Sequence, residues 1–217
     1  MRPVGIFGGT FDPVHFGHLR PALEVTENLG LEELRLIPGR VPPHRAAPGA
    51  APEARLQMLR LAVAQQPGFL IDEREMQREG PSFSVDTLRS LRSELGADRP
   101  LCLIVGADAF LGLGSWHCWE EIPRLAHIVV THRPGWELEP HTVAGAEDAI
   151  ALLDRARLGS REQLASAPAG GVWLEAVTQL EISATDIRRR QRTGRNIRFL
   201  LPDAVRRYID DNGLYGP

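Results

Sequence analysis

Apolar and polar positions along this chain switch repeatedly between two periods. Pro3-Val4-Gly5-Ile6-Phe7 is a short apolar run, as a strand covered on both faces would be. Leu19 to Leu29 then spaces its apolar residues as a helix does, and Gly30 stops it. Leu34-Arg35-Leu36-Ile37 reads as a second strand ended by Pro38-Gly39, and Arg40 to Pro52 as an exposed loop rich in Pro, Ala and Gly. A helix follows from Glu53 to Gln66, with Leu56, Leu59, Ala62 and Val63 on one face. Phe69-Leu70-Ile71 is a short strand, and Val85, Leu88, Leu91 and Leu95 form a helical stripe between Ser84 and Gly96. Leu101 to Val105 is a continuous apolar run fit for a central parallel strand, and Ala126 to Thr131 forms another. Val172-Trp173-Leu174 is the last strand, Ser183 opens a basic helix, and Asp203 to Asp210 forms a terminal helix after Pro202. Strands alternating with helices predict an α/β fold, a parallel sheet with helices on both faces. We read 1–217 as one domain, with a core over 1–135, an insertion over 136–171 where the pattern weakens to one helical stretch, Glu147 to Arg157, before a loop-like Ala165 to Gly171, and a C-terminal part over 172–217.

Composition narrows the picture. Hydrophobic residues at 43% and charged residues at 24% are ordinary for a globular protein. A net charge of −3 argues against bulk electrostatic capture of nucleic acid or membrane, so neither is expected as a partner. All 25 basic residues are arginine. Without lysine there is no P-loop lysine and no Schiff-base chemistry, while bidentate phosphate recognition stays well served. The two cysteines, Cys102 and Cys118, form no redox pair or disulfide framework. No secretory leader is evident and the longest apolar stretch is too short to span a bilayer, so the expected location is cytoplasmic. A homo-oligomer stays open.

Four groups of residues could carry chemistry. The first is Gly8-Gly9-Thr10-Phe11-Asp12-Pro13-Val14-His15-Phe16-Gly17-His18, between the first strand and the first helix. Strand, glycine turn and helix entrance together bring backbone N–H groups and a positive helix end to a phosphate. Two imidazoles there can donate to phosphoryl oxygens, and Gly17 leaves room for a bulky anion. The alternative is a tight turn with packed or capping histidines; zinc ligation lacks further ligands nearby. The second group is Ile182-Ser183-Ala184-Thr185-Asp186-Ile187-Arg188, a capped helix start whose hydroxyls and arginine suit phosphate. Eight arginines against three acids lie between Glu181 and Arg207, which equally fits a solvated basic face. The third, Gly106-Ala107-Asp108, ends a buried strand where an acid can bind ribose hydroxyls or merely cap a helix. The fourth is Trp116-His117-Cys118-Trp119, a stacking platform or simple packing. Pro42-Pro43-His44-Arg45 adds a further cation.

Together these residues resemble the bacterial nicotinate-nucleotide adenylyltransferases, members of the H-x-G-H nucleotidyltransferase superfamily. The resemblance runs through Pro42-Pro43-His44-Arg45, Pro81-Ser82-Phe83-Ser84-Val85-Asp86-Thr87-Leu88, Val105-Gly106-Ala107-Asp108-Ala109-Phe110 and Ser115-Trp116. It resumes at Ile182 to Arg188, Tyr208-Ile209 and Gly213-Leu214-Tyr215; residues 136–171 match poorly. It implies a Rossmann-like fold and a reaction in NAD biosynthesis that joins ATP and nicotinate mononucleotide into deamido-NAD and pyrophosphate, with Mg²⁺ held by the triphosphate rather than by a protein metal site. It further implies that Gly8, Gly9, Thr10, His15, Gly17, His18, Gly106, Asp108, Ile182, Ser183, Thr185 and Arg188 meet ATP, with His18 and His15 catalytic. Phe11, His44, Arg45, Ser84, Trp116, His117 and Arg133 would meet the mononucleotide. Two departures stand out: Ala184 where many relatives carry serine, and Phe83-Ser84 where Tyr-Thr is common. Other acceptors within the superfamily, such as an amidated mononucleotide or pantetheine phosphate, and a non-catalytic ATP sensor are the rival readings.

Overall fold

The computed structural model describes residues 1–41, 48–135 and 145–216. Six strands form one parallel sheet: β1 (Val4–Gly9), β2 (Glu33–Pro38), β3 (Phe69–Ile71), β4 (Leu101–Gly106), β5 (His127–His132) and β6 (Val172–Ala176). Their order is β3-β2-β1-β4-β5-β6, so the chain turns back between β1 and β4. This doubly wound arrangement opens a crevice beyond the carboxyl ends of β1 and β4, where such sheets receive ligands. Both Gly9 and Gly106 end strands at that edge.

The helices that connect the strands are α1 (Phe16–Asn28), α2 (Pro52–Val63), α3 (Arg74–Gln77), α4 (Ser84–Leu95), α5 (Ala107–Leu111), α6 (Ile122–Leu125) and α7 (Ala146–Ala156); α8 (Ala184–Arg192) and α9 (Asp203–Asp211) follow β6. Two apolar layers result. On one face Cys102 and Ile104 of β4 pack with Val25 of α1, Met58 and Leu59 of α2, Ile187 of α8 and Val205 and Ile209 of α9. On the other, Leu101, Leu103 and Val105 pack with Val85, Leu88 and Leu91 of α4 and with Leu152 of α7. Strand β4 reads as an unbroken apolar run because successive side chains enter opposite layers. Cys102 lies wholly buried there as a small hydrophobe, its thiol pushed up to about 12 by burial.

Local detail departs from the sequence reading in two places. Helix α1 begins at Phe16 rather than near Leu19, so Gly17 and His18 belong to its first turn. Gly17, a poor helix former in the first turn, masks the start, while Pro21 lies further in, inside the helix. The polar helix α3 carries no apolar stripe to announce it. Within 136–171 the helical stretch expected over Glu147 to Arg157 is α7, whose Ala146, Ala149, Leu152 and Leu153 are buried against the sheet. Adjacent parallel strands such as β5 and β6 need a crossover of this kind. Among the described residues no helix is long and apolar enough to cross a membrane.

Candidate active site

The loop after β1 is built around a buried carboxylate. Asp12 accepts from the backbone N–H of Gly49 (2.7 Å) on Oδ2 and from that of Ala50 (3.1 Å) on Oδ1. The Tyr215 hydroxyl also donates to Oδ1 (2.7 Å). Burial, and then this carboxylate, push the phenol well above its usual range. The Arg188 guanidinium donates to the Asp12 carbonyl (2.7 Å) and lies 3.5 Å from Oδ2. One side chain thus ties together the first motif, residues 49–50, the end of the chain and the arginine of the second motif.

His15 caps α1 in extended conformation, and its carbonyl accepts from the N–H groups of His18 (2.9 Å) and Leu19 (3.1 Å). The His15 and His18 rings lie 3.8 Å apart, centroid to centroid. His18 Nδ1 accepts from the His15 N–H at 3.3 Å, which assigns the proton of the neutral ring to Nε2. Phe11 is buried, with its edge toward the His18 ring at 5.3 Å. Its side chain therefore braces the histidine, and what it can offer a ligand is backbone. No acidic residue stands in the first turn of α1, so the positive helix end is not neutralised locally.

Only 4% of His15 is exposed, and its Nδ1 has no hydrogen-bond partner among the described residues. Burial lowers its pKa from 6.5 to about 4. The ring is neutral at neutral pH, which leaves His18, with its Nε2–H, as the donor to phosphate. The unfolded chain binds this proton below about pH 6.5 and the folded chain does not until about pH 4. Stability from this group is therefore present above pH 6.5 and is lost as the pH falls toward 4, by about 3 kcal/mol in all. Urea unfolding of wild type and of His15→Gln at pH 7 and pH 4.5 should show the glutamine variant losing less stability on acidification. Equal losses in the two proteins would contradict this assignment.

The second motif lies against the first. An added Cβ on Gly17 would sit 2.9 Å from the Ile182 carbonyl and 2.9 Å from His15 Nδ1, so no side chain fits between α1 and the approach to α8. Phe16 N–H donates to the Leu200 carbonyl (3.1 Å), and Glu24 of α1 accepts from the Thr178 N–H (2.6 Å). Ser183 caps α8, its hydroxyl oxygen accepting from the Asp186 N–H at 3.2 Å. Arg188 also donates to the Thr185 hydroxyl (3.3 Å). His15, His18, Ser183, Thr185 and Arg188 thus flank one junction, with hydroxyls, a guanidinium and two helix entrances gathered there.

The other expected residues divide. Gly8 and Gly9 end β1; a Cβ on Gly8 would meet nothing, whereas one on Gly9 would strike the Phe11 ring. Gly106 is equally open, and the exposed Asp108 lies in the first turn of α5 beyond β4. Ser84 is the first residue of α4, whose cap is Phe83, and the Phe83 ring lies 4.4 Å from that of the exposed His117. Trp116 is half-buried and packs on the second apolar layer. Arg133 is directed to Gln179 (3.3 Å) and Glu181 (3.2 Å), next to the second motif. His44 and Arg45 lie outside the described residues.

Sequence reading missed Asp12, and also Arg55 of α2. Arg55 is fully buried at a position three residues before Met58 and four before Leu59, on the apolar face of its helix. An arginine placed in an apolar stripe was the available signal.

A parallel sheet of this order, opening on a histidine-bearing helix entrance, has the build of a nucleotidyltransferase domain, and a cytidylyltransferase-like family model matches residues 6–190. A Halorhodospira halophila protein named "Probable nicotinate-nucleotide adenylyltransferase" is 50% identical over 100% of this chain and 96% of its own length. A Methylococcus capsulatus protein of the same name is 51% identical over 98% of this chain and 99% of its own. The chain belongs to the nicotinate-nucleotide adenylyltransferase family. In fold it is similar to the Plasmodium falciparum nicotinic acid mononucleotide adenylyltransferase complexed with NaAD, with a TM-score of 0.73 over 99% of this chain and 98% of that one, at 15% identity.

Proposed function

We propose that this chain transfers the AMP moiety of ATP to nicotinate mononucleotide, giving deamido-NAD and pyrophosphate for NAD synthesis in the cytoplasm. The observation that carries the site assignment is the junction of the two motifs, where Arg188 reaches Asp12 and Ile182 abuts Gly17. A phosphate oxygen of the mononucleotide attacks the α-phosphorus in line, and the bond to the bridging oxygen breaks as pyrophosphate leaves. That phosphate is already ionised, so no protein nucleophile is needed; positioning and charge stabilisation carry the catalysis.

His18 donates through Nε2 to the oxygen on which charge builds at the α-phosphate, and His15 lies beside it. The α1 entrance with Gly8, Gly9 and Thr10, and Ser183, Thr185 and Arg188 of the α8 cap, hold the remaining phosphates. Asp108 meets the ATP ribose. Trp116 stacks on the nicotinate ring, while Ser84 and the backbone at His117 take its carboxylate. Arg133, with His44 and Arg45, attends the mononucleotide phosphate.

Among the described residues no cluster of three His, Cys, Asp or Glu could hold a metal, and both carboxylate oxygens of Asp12 already have donors. The donor set fits a Mg²⁺ ion carried on the triphosphate, which would neutralise charge as the pyrophosphate departs.

Incubation with ATP, Mg²⁺ and each of nicotinate mononucleotide, nicotinamide mononucleotide and phosphopantetheine, with pyrophosphate detection and chromatography of products, tests this reading. We expect the acid to outpace the amide at least tenfold, because a site built for a carboxylate leaves donors unpaired against an amide. Equal rates would remove the carboxylate-reading roles. No pyrophosphate with any acceptor would make the protein an ATP-binding sensor.

A further inference from the structure

Among the described residues Arg55 heads the large side chains that are fully buried, and its guanidinium meets four backbone carbonyls from three separate segments. Nη1 donates to Thr10 (2.7 Å), after β1, and to Gly39 (2.7 Å), after β2. Nη2 donates to Arg40 (3.0 Å), and Nε to Ala50 (3.3 Å), ahead of α2. Among the described residues no carboxylate lies within ion-pair distance of it, although Asp12 and Glu53 act on it from further away. Burying a guanidinium is costly unless its donors are satisfied, and here loop backbone satisfies them.

Its partners are the segments that wall the site. Thr10 belongs to the phosphate loop. The Arg40 N–H donates to the Ser82 hydroxyl (3.1 Å) and the Ser82 N–H to the Val41 carbonyl (3.0 Å), so the loop after β2 is joined to the turn leading into Ser84. Ala50 is held at both ends: its N–H by Asp12 and its carbonyl by Arg55. A carboxylate collects the N–H groups and a guanidinium the carbonyls of neighbouring peptides.

We infer that Arg55 is a positioning residue which locks Thr10, residues 39–41 and residues 49–50 into one rigid wall between the ATP and mononucleotide subsites. A lysine there keeps the charge but carries a single compact ammonium, which cannot span carbonyls on three segments. This inference rests on the proposed reaction for the location of the subsites.

The test compares full-length wild type, Arg55→Lys and Leu101→Ala, a core change at the opposite end of β4. Melting temperature, kcat, KM and calorimetric affinity for ATP with Mg²⁺ are measured for each. We expect Arg55→Lys to fold, to bind ATP about tenfold more weakly and to lose at least tenfold in kcat. Leu101→Ala should lose as much melting temperature or more while keeping kcat within twofold. Millimolar guanidinium should restore activity to Arg55→Ala, whereas urea at the same concentration should not.

The inference is overturned by a folded Arg55→Lys with wild-type affinity and kcat, by matching kinetic losses in Leu101→Ala, or by a failure of guanidinium to rescue. Arg55 variants that do not fold even with guanidinium also overturn it, since they make the residue a general stabiliser. The affinity measurement does not depend on the acceptor. Wild type that makes no product yet binds ATP more tightly than Arg55→Lys would sink the proposed reaction and leave the positioning role standing; wild type that binds no ATP would overturn both.

Discussion

Replacing His18 with alanine should lower kcat by about 10²-fold or more while leaving the KM for ATP within a few-fold of wild type. The reason lies in what the ring is asked to do. Its Nδ1 is engaged by the backbone N–H of His15, so donation to the phosphate comes from Nε2. A donor aimed at charge that grows only as the bond to pyrophosphate stretches stabilises the transition state more than the bound substrate. Phe11 holds the ring from one side and His15 from the other, so the donor is placed before substrate arrives. Steady-state kinetics of His18→Ala with saturating nicotinate mononucleotide give the result directly. A variant within threefold of wild type would remove His18 from the chemistry, and a large rise in KM at constant kcat would recast it as a ground-state contact.

The second large effect is expected at Asp12. Its side chain is 95% buried and accepts two backbone N–H groups and the Tyr215 hydroxyl, with Arg188 alongside. Asp12→Ala leaves these donors without their acceptor, which should cost about 3 kcal/mol or more. For a chain of this size that corresponds to a fall of about 6–12 °C in melting temperature. Activity should fall with it, since Arg188 and residues 49–50 lose the group that orients them. Asp12→Asn keeps the shape but turns an NH₂ group toward one set of donors, so it should recover less than half of the lost stability. Thermal melts and kinetics of the two variants check this together. An alanine variant within 1 kcal/mol of wild type, with unchanged kcat, would show that the carboxylate is a bystander.

Much of this molecule could be read from residue order alone, for identifiable reasons. Leu101 to Val105 and Ala126 to Thr131 announced central strands because both faces of a doubly wound sheet are covered. The terminal helix was legible because Val205 and Ile209 recur at helical spacing. Helix α7 was legible only as a helical stretch over Glu147 to Arg157 inside an apparent insertion, since its buried face is half alanine and its sequence surroundings are loop-like. At the site, His15, Gly17, His18, Ser183, Thr185 and Arg188 stood out because each lies in a short contiguous motif at a helix entrance. Asp12 and Arg55 did not stand out as site residues. Arg55 meets only backbone carbonyls, and Asp12 meets the N–H groups of Gly49 and Ala50 besides the distant Tyr215 and Arg188 side chains, so nothing in the neighbouring sequence marks either contact. The Arg133 contacts with the side chains of Gln179 and Glu181 join segments more than forty residues apart, a separation that no local pattern reports.

The most direct test of the account is a crystal structure with a non-hydrolysable ATP analogue and Mg²⁺. The α-phosphate should lie within hydrogen-bond distance of His18 Nε2, and the outer phosphates within reach of Ser183, Thr185 or Arg188. A triphosphate held by one helix entrance alone, or seated away from the gap between α1 and α8, would contradict it.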